Sequence, residues 1–237
     1  MTIRARRIED AAKAFWKAAG GRKKYGMPPD LERAVAFALP LGVCRMPALS
    51  TAKVAAVLER IGTIPWSVSP DRPLRGCLIA DVGVGLVFLD GDDPPEERRY
   101  SLAHEVAHFL LHYLQPRRRV LDELGAGMAA VLDRERPPRD GERLSSALRN
   151  IALEPFRHAM VRSPDGGISH FRARLIESEA DELALEILTP LEELRSRHDL
   201  DTQSLAGSYG IPLHAANRLV TEIGKPAARG VISIFKK

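Results

Sequence analysis

In this 237-residue chain, the stretch best suited by residue type and spacing to chemistry is His104-Glu105-Val106-Ala107-His108. On a helix, residues i and i+4 share a face, so both imidazoles reach one ion. Glu105 lies one step round the helix and faces a metal-bound water without binding the metal itself. The alternative is two unrelated histidines on a polar helix face. Zinc at a catalytic site takes three protein ligands and leaves a fourth position for water. An H-E-x-x-H-x-x-G-x-x-H continuation would supply the third, but Leu111 and Leu114 stand where its Gly and last His belong. His112 is one turn beyond His108, and three histidines on one straight helix do not easily surround one ion. It reads as an orienting or structural residue.

The better source of a third ligand is the segment Ile176-Glu-Ser-Glu-Ala-Asp-Glu-Leu-Ala184. Glu177, Ala180, Asp181 and Ala184 fall on one helical face, and the two alanines let that helix approach another closely. Glu177 is then the candidate ligand. Asp181, four residues on, is placed to orient a histidine through its second ring nitrogen. Glu179, Glu182 and Glu186 share the other side and read as a solvated face.

The stretches Arg99–His112 and Ile176–Pro190 together resemble the signature of the ImmA/IrrE family of zinc metallopeptidases, which is similar to the thermolysin-like class. The resemblance implies His104, His108 and Glu177 as ligands of Zn²⁺ and Glu105 as general base. It implies a cytoplasmic protein of bacterial or phage-related type. It also implies a protein substrate, since some relatives cleave a helix-turn-helix repressor. The chain departs from the family in its long interval between His108 and Glu177, which reads as an insertion of helices beside the cleft. It also shows no separate N-terminal DNA-binding module of the kind some relatives carry.

The elements that must position these residues are partly legible. Ile8, Ala11, Ala12, Phe15, Trp16 and Ala19 mark one side of a helix over 4–19, stopped by Gly20-Gly21. Further helices are predicted from about Asp30 to Pro40 and over 50–61, the latter with Ser50 as N-cap. Residues 63–75 read as a loop. Cys77–Ala80 and Val84–Leu89 form a predicted hairpin around Asp81-Val82-Gly83. Val84–Leu89 is a candidate edge for a substrate strand, or else simply completes the sheet.

Asp93 as N-cap, Pro94 and Glu96 open the helix that carries the histidines, with Pro116 closing it after Leu114. Residues 116–173 are the least readable, with Pro137-Pro138 between two helices and a turn at Asp165-Gly166-Gly167. A helix over 174–188, two short ones at 201–209 and 212–223, and a strand over Val231–Phe235 complete the reading. The expected fold is α+β and mainly helical, zincin-like, with a small antiparallel sheet on the metal helix. Its parts are an N-terminal helical region (1–62), a catalytic core (63–196) with an insertion at about 116–173, and a C-terminal helix pair and strand (197–237).

Composition sets the outer bounds. The chain is 45% hydrophobic and 28% charged with a net charge of +4, which excludes a disordered acidic tail and a collagen. Cys44 and Cys77 are too few for a disulfide scaffold and lack metal-ligand spacing. No apolar run or signal peptide is evident, so a cytoplasmic protein without membrane contact is expected. Residues 1–24 carry eight basic residues against Glu9 and Asp10; they read as a solvated helix face or a nucleic-acid contact.

Zinc held by two neutral histidines and one carboxylate lowers the pKa of bound water toward about 7, and Glu105 takes the proton. His158, His170 and Tyr209 are candidate second oxyanion donors. Iron or manganese suits the same ligands. Two other readings stand beside the peptidase. One is a DNA-binding regulator, since 205–219 has helix-turn-helix spacing, although a helix pair packed on the catalytic core is the preferred explanation of that stretch. The other is a zinc-binding module that interacts with DNA or a repressor without turnover.

Overall fold

The computed structural model describes residues 3–62, 70–148, 155–162, 171–195 and 201–224. In chain order the elements are α1 (Ile3–Ala18), α2 (Leu31–Ala38), β1 (Leu41–Met46), α3 (Thr51–Arg60), β2 (Leu74–Asp81), β3 (Val84–Asp90) and α4 (Pro95–His108). A π-helical turn (Phe109–Leu114) follows, then α5 (Gln115–Leu124), α6 (Ala129–Leu132), α7 (Asp140–Leu148), β4 (Phe156–Val161) and α8 (Phe171–Leu188). Last come α9 (Leu191–Arg195), α10 (Thr202–Tyr209) and α11 (Leu213–Gly224).

The sheet is small and lies against α4, in a mainly helical α+β fold, as the sequence predicts. Its order is β1-β3-β2-β4. The β2–β3 and β2–β4 pairs are antiparallel, while β1 runs parallel to β3, so the sheet is mixed. The parallel pair arises because α3 and β2 intervene before the chain returns beside β1. This order corrects one expectation. Val84–Leu89 lies between β1 and β2 and has no open edge; the outer strands are β1 and β4.

Alternation along the strands builds two cores. Leu78, Ala80, Val87 and Leu89 join the main core with α4. Cys77 and Phe88 face the other way and pack with Leu49, Val54 and Leu58 of the α3 region. Ser50 caps α3 and Asp30 caps α2, each accepting from a backbone N–H three residues on. Beyond α4 the layers continue. Ala180 and Ala184 of α8 are wholly buried, and small residues at such a contact permit close helix approach. Helix α1 lays Ile8, Ala12, Phe15 and Trp16 into the same core, with Trp16 Nε1 donating to the Ile187 carbonyl at 3.1 Å.

Three local expectations fail for identifiable reasons. The cap of α4 is Pro94, with Pro95 in the first turn. Asp93 instead accepts from Arg162 at 2.6 Å, as does Asp90. Pro116 does not close the helix. The Gln115 N–H reaches back to the Leu110 carbonyl, a π-type bond, so Pro116 enters just where the hydrogen-bond register is already changing. The chain continues as α5. Finally, the acidic side of α8 is not a solvated face. Glu182 receives a bidentate Arg4 (2.6 and 3.0 Å), Glu179 pairs with Arg7 at 2.5 Å, and Glu186 is buried and accepts from the Leu191 N–H. The basic N-terminal helix thus pairs Arg4 and Arg7 with α8 at a half-exposed seam.

Helices α6 and α7 do flank Pro137-Pro138. Strand β4 is absent from the sequence reading. The turn at 165–167, His170 and the strand at 231–235 lie outside the described residues.

The β2–β3 turn makes a prediction. Val82 and Gly83 both have positive φ, 43° and 85°, the geometry of a type I′ hairpin turn, which disfavours a β-branched residue. Val82→Asn is expected to raise stability by roughly 0.5–1 kcal/mol, read as a higher urea midpoint at unchanged slope.

Candidate functional site

Helix α4 is buried on every side from Tyr100 to His108. His104 is 3% exposed, and Glu105 and His108 are 0%. A charged or polar strip placed there needs partners inside the protein, and each side chain has them. His104 Nδ1 lies 2.9 Å from Asp181 Oδ1. That carboxylate also accepts from Tyr100 Oη at 3.0 Å and from Arg218 at 2.8 Å. His108 Nδ1 lies 3.1 Å from His112 Nδ1, and His112 Nε2 lies 3.4 Å from Glu179. Both ring systems are therefore held from behind, and both Nε2 atoms turn inward to within 3.0 Å of each other.

Glu177 completes a triangle. Its Oε2 is 3.3 Å from His104 Nε2 and 3.7 Å from His108 Nε2. Donors of a tetrahedral zinc at bonds of 2.0–2.1 Å sit about 3.3 Å apart, so the three atoms fit one face of such a site. A fourth side chain joins them. His158 of β4 forms, with His104, His108 and Glu177, a group whose ligand atoms all lie within 4.8 Å of one another. His158 Nδ1 is 2.9 Å from Glu105 Oε2, and its Nε2 is 3.2 Å from Glu177 Oε1. The second oxygen of Glu105, Oε1, is buried without a protein partner. The Glu105 carboxylate thus keeps one oxygen able to receive a proton.

The electrostatics follow from this crowding. Burial pushes His108 down to about 4, so its imidazole stays neutral and able to ligate. Burial acts on His104 in the same sense, but the hydrogen bonds to Asp181 and Glu177 outweigh it and raise its pKa. His158 is desolvated too, yet the carboxylates of Glu105 and Glu177 carry it up to about 10. Glu177 and Asp181 are held well below the ordinary carboxylate range: burial opposes ionisation, and the facing histidines overcome it.

A cavity of about 440 Å³ opens beside the triangle, lined among others by Tyr100, His104, Met160, Glu177, Asp181 and Arg218. A larger one, about 720 Å³, lies between α2, β1 and the start of α4 and holds none of these residues except α4's first turns. The chemistry favours the smaller.

The structure brings His104, Glu105, His108, Glu177 and Asp181 together at one place, with His112 against His108. Tyr209 is elsewhere, 1% exposed under Arg22 at the far end of α8, three turns from Glu177. The helix pair α10–α11 is packed on the core through Leu205, Ile211, Ala216 and Leu219, and Arg218 of α11 walls the cavity. His158 is the residue whose place the sequence reading did not fix. Its signal was the alternation Phe156-x-His158-x-Met160, weakened by Arg157.

Residues 75–136 match the family described as Peptidase_M78, IrrE N-terminal-like domain, which bears out the ImmA/IrrE resemblance. The match covers β2, β3 and α4 with His104, Glu105 and His108; β4 and α8 lie beyond it. No curated protein matches the chain. The peptidase family and the His/Glu cluster together support a metallopeptidase. Among the described residues, no helix is long and apolar enough to cross a membrane.

Gly76 of β2 faces Glu105, and a Cβ there would lie 3.1 Å from Oε1. Gly76→Ala is expected to turn the Glu105 carboxylate away from His158 at a stability cost of about 1 kcal/mol. A crystal structure of the variant reads the Glu105–His158 distance, and its urea midpoint reads the cost.

Proposed function

We propose, from the match of residues 75–136 to the IrrE N-terminal-like peptidase family, that the protein is a zinc-dependent endopeptidase that cuts a regulatory protein, such as a helix-turn-helix repressor. The observation that carries this reading is the triangle of His104 Nε2, His108 Nε2 and Glu177 Oε2 with the unpartnered Glu105 Oε1 beside it.

In this reading His104, His108 and Glu177 hold the ion. A divalent zinc there supplies Lewis acidity, polarising a peptide carbonyl and acidifying the attacking water. Glu105 takes the water's proton at Oε1 and passes it to the leaving amine nitrogen. Asp181 fixes the tautomer of His104, and His112 with Glu179 does the same for His108. The Asp181 carboxylate is itself held by Tyr100 and Arg218, so the helix pair that reads like helix-turn-helix serves the site from its wall. An extended peptide is accommodated by pairing with the outer strand β4, which carries His158 into the site. The basic side chains Arg4, Arg7 and Arg218 are engaged within the chain, which favours the peptidase over a DNA-binding regulator.

Three experiments test this reading. Elemental analysis is expected to give about one zinc per chain. Glu105→Gln should keep that zinc and lose cleavage of helix-turn-helix substrates by a factor on the order of 10² to 10⁴. Cleavage at the wild-type rate would remove Glu105 from its role. Asp181→Ala should retain the fold but weaken zinc binding by about 10- to 100-fold, measured by competition with a chromophoric chelator.

A further inference from the structure

His158 is not part of the H-E-x-x-H pattern or of the α8 pattern, and it comes from a strand in the long interval between them. Its position is tightly set. The β4 backbone pairs with β2 along six positions, with His158 opposite Leu78. Arg162, just after β4, ties the strand to Asp90 at the end of β3 and to Asp93 just before α4. The imidazole stacks on His108 with centroids 3.7 Å apart and planes 22° from parallel.

Held in this way, the ring divides the oxygens of two carboxylates. Nδ1 faces Glu105 Oε2 at 2.9 Å, and Nε2 faces Glu177 Oε1 at 3.2 Å. The oxygens it leaves are Glu105 Oε1, buried and without a partner, and Glu177 Oε2, the one turned to His104 and His108. We propose that His158 is a positioning residue that clamps one oxygen of each carboxylate. The Glu105 carboxylate is thereby fixed in orientation, and Glu177 is left to bind the metal through Oε2 alone. This inference rests on the metallopeptidase reading and deepens it.

The competing role is a fourth metal ligand, and the ring geometry argues against it. Two imidazoles on one tetrahedral ion have centroids about 5 Å apart. His104 and His108 are at 4.7 Å, and His104 and His158 at 5.4 Å. His108 and His158, stacked at 3.7 Å, are too close and too parallel to converge on one ion. A clamp needs no such convergence.

The clamp has a consequence for coordination number. With Oε1 released, the Glu177 carboxylate is free to chelate with both oxygens, which raises a four-coordinate site to five.

The test uses the full chain loaded with Co²⁺, as wild type, His158→Phe and His158→Gln. Phe keeps a ring on His108 and removes both N–H groups; Gln keeps one donor. For His158→Phe the expected result is weaker visible absorption, as for five-coordinate cobalt, with cobalt affinity within about tenfold of wild type. With a cleavable substrate, kcat falls by about 10- to 100-fold while KM stays within about twofold. His158→Gln should recover part of both changes.

A loss of affinity beyond about a thousandfold, with one fewer nitrogen around cobalt by X-ray absorption, would make His158 a ligand and overturn the clamp. An unchanged spectrum with unchanged kcat would overturn it as well. Wild-type protein that takes up no cobalt would overturn the metallopeptidase reading itself, and the clamp with it.

Discussion

A polar strip in a helix buried on every side is the constraint on which this structure turns. His104, Glu105 and His108 are almost wholly shielded from solvent in α4, and an unpartnered buried charge costs several kcal/mol. Each neighbouring element therefore delivers a specific group. Helix α8 brings Glu177 and Asp181, β4 brings His158, and the turn beyond α4 brings His112. The one atom left without a protein partner in that strip is Glu105 Oε1.

The partners have partners in turn, and these tie the site to α1 and α11. Behind His108 stand His112, then Glu179, then Arg7 of α1. Behind His104 stands Asp181, held by Tyr100 and by Arg218 of α11. The half-exposed ion pairs at the ends of these chains contribute little each, about 0–1 kcal/mol. The stability of the α1–α8 contact comes instead from buried Phe15 and Trp16, worth roughly 2–3 kcal/mol apiece. The charges fix orientation, while the apolar stripe supplies the free energy.

What the sequence makes legible is what short-range physics determines. The HExxH helix, the hairpin around Val82-Gly83, the caps at Asp30 and Ser50 and the alanine face of α8 depend on residues within a few positions of one another. The parts that were missed depend on partners far away in the chain. Asp93 has the features of a cap, yet Arg162 claims it from 69 residues on. The glutamates of α8 look solvated until a basic helix more than 170 residues earlier covers them. Strand β4 exists because β2 offers it a pairing edge, not because Phe-Arg-His-Ala-Met-Val is a strong strand former. Pro116 would stop an α-helix, but the π turn before it has already shifted the hydrogen-bond register.

The same contrast divides the site. Residues 75–136, the segment matching the peptidase family, carry both histidines and Glu105 on one helix with the two strands behind it. The same segment ends in helices that pack a satellite core of Val120, Met128 and Val131, and an interval up to α8 follows. Its last strand returns to the sheet and places His158 against Glu105, Glu177 and His108. An insertion that only enlarged the protein would have no need to rejoin the sheet on the strand whose Gly76 faces Glu105. Because β4 pairs with that strand, a side chain remote in sequence acquires an ångström-scale position beside the carboxylates, which a loop of similar length does not provide. The return of the chain to β2 is thus the step that converts a helix with two histidines into an enclosed site.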